Sequence, residues 1–119
     1  LHVAEAYSLS HEACELILAD IYGSRAAIAN QINMRQTGLT NFELQYTYIN
    51  KAIETGLLRQ PDIRICFALG GLGNGYQGMN HYEEAVQWYH KCYEAWNGVE
   101  GDQRLYVGNP IVQTLKSLN

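Results

Sequence analysis

Between Tyr82 and Trp96 the aromatic or small positions Tyr82, Ala85, Tyr89, Cys92, Tyr93 and Trp96 recur at helical spacing, while Glu84, Gln87, Lys91 and Glu94 form the opposite stripe. That spacing predicts an amphipathic helix, because residues three and four apart share one helix face. A second such helix is predicted where Phe42, Ile49, Ala52 and Ile53 lie on one side and Glu43, Thr47, Asn50, Lys51 and Glu54 on the other, with Thr40 or Asn41 available as its cap. A short turn marked by Gly38 or Gly78 precedes each helix, and a further helical candidate precedes each turn, over residues 18–35 and 62–76. The unit is therefore a helix, a tight turn and a helix.

The unit repeats. Gly38 and Gly78, Glu43 and Glu83, Lys51 and Lys91, Glu54 and Glu94, Asp62 and Asp102, and Arg64 and Arg104 are all matched at an offset of 40. Residues 3–15 align with 82–94 at nearly twice that distance. A fixed period in this range is the sequence mark of a helical array. The predicted divisions are 1–17 as the second helix of a preceding repeat, 18–57 as a degenerate repeat, 61–97 as the best-formed repeat, and 102–119 as the first helix of a following one. Six helices are expected in all, in a segment of a longer protein.

Within the best-formed repeat, Leu69-x2-Leu72-Gly73-x2-Tyr76 is followed by Tyr82 and by Ala85-x3-Tyr89. This resembles the tetratricopeptide repeat, whose pattern is Trp-x2-Leu-Gly-x2-Tyr, then Ala-x3-Phe and a later Pro. Leu stands for Trp, Tyr for Phe, and the Pro is missing. The period is longer than the ~34 residues usual for that family and is similar to the repeats of kinesin light chains and of arrays attached to signalling ATPases. Gly73 would let the two helices approach, Ala85 would supply a small surface opposite, and Tyr76, Tyr82 and Tyr89 would fill the space between. In the earlier repeat Ile32, Asn33, Gln36 and Gln45 fall at the corresponding places, which predicts looser packing.

The resemblance implies an all-α fold, a right-handed superhelical solenoid of antiparallel helix hairpins in which first helices line a concave face. It also implies a protein-binding scaffold that holds a peptide or protein segment in that groove. Carried over residue by residue, the groove candidates are Asn30, Met34, Phe67, Asn74 and Gln77. Asparagines offer a donor and an acceptor to a peptide backbone, and Met34 adapts to varied apolar partners. The family's Lys and Asn cluster for a terminal carboxylate is replaced here by Asn30 and Met34. Contact with other domains of the same chain, as a regulatory or oligomerisation segment of a signalling ATPase, is the alternative.

Composition narrows the functional classes. The 119 residues carry 12 acidic and 8 basic side chains, a net charge of −4, and only 2 prolines, which suits one globular unit. With no basic run there is no footprint for nucleic acid or for an anionic membrane surface. Cys14, Cys66 and Cys92 are widely spaced and odd in number, which favours reduced thiols and a cytoplasmic setting. No secretory signal and no apolar span is visible.

Gly73-Asn74-Gly75-Tyr76-Gln77-Gly78 matches Gly-x-Gly-x-x-Gly, so a nucleotide-binding enzyme is a remote rival. Such a turn needs a helix to open within the glycines, with its N–H groups facing the phosphates. Here the next helix begins only after Asn80-His81. Five glycines from Gly70 to Gly78 nevertheless weaken a helix by ~1 kcal/mol each relative to alanine, so this helix should lean on its neighbours. His90 and Cys92 point to different helix faces, which argues against a metal site. No catalytic motif is recognised, and no cofactor is expected. Trp88 is expected to contact the first helix of the next repeat.

Overall fold

The computed structural model describes residues 14–60 and 62–99, and among these the chain forms four α-helices and no strand. They are α1 (Cys14–Gln31), α2 (Arg35–Glu54), α3 (Ile63–Gly78) and α4 (Tyr82–Asn97). Of the six helices expected, the one placed in 102–119 and most of the one placed in 1–17 lie outside the described residues. Residues 14–17 belong to α1, which starts four residues before the expected boundary at 18.

Consecutive helices pack on one another: α1 on α2, α2 on α3 and α3 on α4, with a smaller contact between α1 and α3. The buried residues fall into three neighbouring groups. Ala26, Phe42 and Leu72 join α1, α2 and α3, as do Ala19, Ile49, Ala52 and Ala68 together with Leu58. Cys66, Leu69, Cys92 and Val99 join α3 to α4. Half of these buried residues are Ala or Cys, so the packing is sensitive to added side-chain volume.

Both hairpins turn on an asparagine. Asn33 and Asn80 have φ of 63° and 64°, the left-handed conformation in which a helix commonly ends. At the first turn the Asn33 N–H donates to Asn30 O at 3.2 Å and the Met34 N–H to Ala29 O at 2.8 Å. At the second, Asn80 N–H donates to Gln77 O at 3.0 Å and His81 N–H to Tyr76 O at 2.9 Å. These paired bonds satisfy carbonyls that the last helical turn leaves open, as in a Schellman motif. Even the side chains correspond: Asn33 Oδ1 accepts from Arg35 Nη2, and Asn80 Oδ1 accepts from the Tyr82 hydroxyl.

Each of these equivalent pairs is 47 residues apart, not 40. The turn lies at residues 32–34, so Gly38 is inside α2, and Thr40 and Asn41 are helical rather than capping. Gly38 thereby takes the place of Ala85, Ala26 that of Gly73, and Phe42 that of Tyr89. Neither α2 nor α4 has a side-chain N-cap bond, whereas α3 is capped by Asp62, whose carboxylate accepts from the Arg64 N–H at 2.9 Å.

The glycine-rich segment is helical. Gly73–Gly78 is the last part of α3, so it opens no helix and presents no N-terminal phosphate cradle. Its glycines are explained by two neighbours. A Cβ on Gly73 would overlap the Tyr89 ring of α4, and one on Gly75 would come within 2.9 Å of Leu39 Cδ1 and 3.1 Å of Phe42 Cδ2 on α2. α3 is thus gripped from both sides, and tertiary packing offsets the poor helix propensity of its sequence.

One aromatic expectation changes. Tyr82 is 59% exposed and fills no space between helices. Trp88 packs edge-on against Tyr46 of α2, with ring centroids 5.2 Å apart, and the following helix it was expected to meet lies outside the described residues.

Candidate functional site

The first helices of the two hairpins, α1 and α3, border a cleft of ≈ 450 Å³ whose floor is supplied by Phe42 and Gln45 of α2. The 47-residue correspondence places its walls in rungs: Asp20 with Phe67, Gly23 with Gly70, Ser24 with Gly71 and Ala27 with Asn74, all of which line the cleft. A second hollow of ≈ 480 Å³ is lined by Asn30, Arg35, Gln77, Asn80 and Tyr82, and shares Asn74 with the first. The next rung, Asn30 with Gln77, lies there. The two hollows thus meet at Asn74.

Of the groove candidates, Phe67 lines the cleft, Asn30 and Gln77 line the second hollow, and Asn74 lines both. Met34 lies in the first turn, 50% exposed, and lines neither. The signature residues Leu69, Leu72, Ala85 and Tyr89 are buried, Gly73 lies against Tyr89, and Tyr76 is half-buried beside His81.

Asn74 and Gln77 are exposed, yet both are tied from behind. The Tyr89 hydroxyl, on a side chain only 4% exposed, lies 2.7 Å from Asn74 Oδ1 and 2.7 Å from Gln77 Oε1. A phenol has one proton to donate, so it donates to one amide oxygen and accepts from the NH2 of the other amide after a flip. Either way the two amides are fixed relative to each other, with hydrogen-bonding capacity left over. Burial pushes the Tyr89 phenol up to about 12, so it remains protonated at neutral pH.

Each hollow also has one buried side-chain oxygen beside it, Gln45 Oε1 at the first and Asn30 Oδ1 at the second. Neither accepts a hydrogen bond from another described residue. Gln45 is wedged between hairpins: a Cβ on Gly23 would meet its Nε2 at 2.7 Å, and one on Gly71 its Oε1 at 3.1 Å.

Asp20, Ser24, Ala27, Arg35, Phe42 and Gln45 line the hollows without being among the sequence-based candidates. For those on α1 the signal is the pair of turn asparagines. Aligning Asn33 with Asn80 brings Asp20 opposite Phe67 and Ala27 opposite Asn74.

Among the described residues no helix is long and apolar enough to cross a membrane, and no group of three His, Cys, Asp or Glu side chains could hold a metal ion. No protein-family model matches the chain, and neither a curated protein nor a solved structure matches it significantly.

Proposed function

We propose that this chain is a protein-protein interaction module of tetratricopeptide-like architecture, a right-handed solenoid whose concave face, between α1 and α3, holds an extended peptide. The observation that carries this reading is the Asn74–Tyr89–Gln77 arrangement. Two exposed amides stand one helical turn apart on the wall of a groove, and a buried phenol holds them in place. Peptide backbones present alternating N–H and C=O groups, which is what fixed side-chain amides can grip without knowing the sequence. Preorganisation matters here because ordering free side chains costs ~0.5–1.5 kcal/mol each on binding.

Three buried free thiols agree with a cytoplasmic setting, where they stay reduced. Non-catalytic binding accounts for the groove with these residues alone. The test is amide chemical-shift mapping with a pool of acetylated, amidated peptides. Saturable shifts confined to α1 and α3 around Asp20, Ala27, Phe67 and Asn74 are expected. Shifts gathered on the outer faces of α2 and α4 would overturn the reading.

A further inference from the structure

We infer that the groove selects an extended segment with a basic side chain at one end and an acidic side chain about five residues away. This rests on the peptide reading and adds the charge pattern of the partner. Among the described residues lining the two hollows, Asp20 is the one acid and Arg35 the one base, and they stand at opposite ends.

Arg35 is held ready for an anion. One of its N–H groups donates to Asn33 Oδ1 at 3.1 Å, leaving most of the guanidinium's five donors available. Its stem lies over the end of α3, where a Cβ on Gly78 would come within 3.2 Å of Arg35 Cδ. The negative end of the α3 dipole favours a cation there. Asp20 is exposed on α1, beside Phe67 of the facing helix, so an amphipathic basic side chain can lay its stem on the ring and its head on the carboxylate.

The span fixes the spacing. From Asp20 to the end of α1 at Gln31 the helix rises roughly 16 Å at 1.5 Å per residue. An extended chain advances roughly 3.3 Å per residue, so about five residues bridge the two charges. The intervening backbone passes Asn74 and Gln77, and an apolar side chain next to the basic one meets Phe67 and Phe42.

The experiment uses the full 119-residue chain and three hexapeptides, acetylated and amidated so that no terminal charge contributes. One is Arg-Leu-Ser-Ala-Ser-Glu, the second has the reverse order, and the third carries Gln at both ends. Affinities are measured by fluorescence polarisation in low and high salt. One charged peptide is expected to bind about three- to tenfold tighter than the neutral one, because exposed ion pairs contribute ~0.2–1 kcal/mol each, and salt should erase the difference. Asp20→Lys should abolish that preference, and Asp20→Lys with Arg35→Glu should transfer it to the peptide of opposite order. Both positions are exposed, and circular dichroism checks that the variants fold. Equal binding of all three peptides, with shifts on α1 and α3, overturns the charge pattern while leaving the peptide reading standing. Binding only when a free C-terminal carboxylate is restored overturns the choice of an acidic side chain. No binding of any peptide, with the amides of α1 and α3 unmoved, overturns both.

Discussion

Gly73 lies so close to Tyr89 that a single methyl group on it would overlap the phenol ring. The ring is pinned in place, since its hydroxyl is bound to Asn74 and Gln77. Gly73→Ala is therefore predicted to destabilise the chain by about 1–3 kcal/mol through overpacking, although alanine is the better helix former by ~1 kcal/mol. Gly70→Ala is the internal control. Its added Cβ would meet only Cys92 Sγ, at 3.5 Å, an ordinary contact. That variant should be neutral or more stable by up to ~1 kcal/mol. Urea unfolding of the pair checks this, and a stabilised Gly73→Ala would mean that Tyr89 has room to move.

Tyr89→Phe keeps the ring and removes the hydroxyl. Asn74 and Gln77 are exposed and can turn to water, so the expected loss is the net value of such bonds, about 0.5–1.5 kcal/mol. Asn74→Ala does more than clear an exposed amide, because it takes away one partner of a buried phenol. The two changes should be non-additive. A double-mutant cycle measured by unfolding is expected to give a coupling of at least ~0.5 kcal/mol. Strict additivity would show that the hydroxyl does not order the amide.

Helix type was legible in the sequence because stripes of Tyr, Ala and Cys at helical spacing meet the physical demand of burying one face. The best-formed hairpin was legible for the same reason: Leu69, Leu72, Gly73, Ala85 and Tyr89 mark a close crossing that few side chains permit. The register of the first hairpin was hidden. Gly38 looks like a turn residue, yet it sits in α2 as a small contact against Asn30, while Asn33 provides the left-handed residue that ends α1. α2 is also longer than α4, with 20 residues against 16, which moves the second hairpin along the chain. Phe67, Asn74 and Gln77, assigned from the clear repeat, line the hollows. Met34, 40 residues before Asn74, does not, whereas Asp20 and Ala27, 47 residues before Phe67 and Asn74, line the cleft.

Alkaline pH should unfold this chain earlier than its few lysines would suggest. Burial raises the Cys66 thiol to about 12, with further repulsion from Cys92 and Asp62, and the Cys92 thiol to about 11, with a backbone hydrogen bond from the Gly70 N–H lowering it in part. Tyr89 is pushed up to about 12. In the unfolded chain these groups ionise near ~8.5 for thiols and ~10 for tyrosine. Above ~8.5 the unfolded state therefore holds fewer protons than the native state, and stability falls as pH rises. The loss begins near the unfolded thiol value and continues through the folded ones, with a slope of up to ~1.4 kcal/mol per pH unit for each group. Urea midpoints between pH 8 and 11 should decline, and less steeply in Cys92→Ala. Both thiols should resist a thiol-specific dye until the chain unfolds. Fast labelling of native protein at pH 8 would contradict their burial.

The two turns offer a test of whether the hairpins are equivalent in energy as well as in geometry. Asn33 and Asn80 share a positive φ and the same pair of backbone bonds, and each accepts one exposed side-chain bond. For a residue with a Cβ that is not asparagine or aspartate, the left-handed conformation costs ~1–2 kcal/mol. Asn33→Ala and Asn80→Ala should each lose about that much. Asn33→Gly and Asn80→Gly should stay within about 0.5 kcal/mol of the parent, since glycine adopts the conformation freely and an exposed side-chain bond contributes little. Four unfolding curves decide the matter. Alanine and glycine variants that fall equally would place the stabilisation in the side-chain bonds to Arg35 and Tyr82. A loss at one turn only would mean that the shared geometry is not shared in energy, and the 47-residue correspondence that aligns Asp20 with Phe67 would then hold for shape alone.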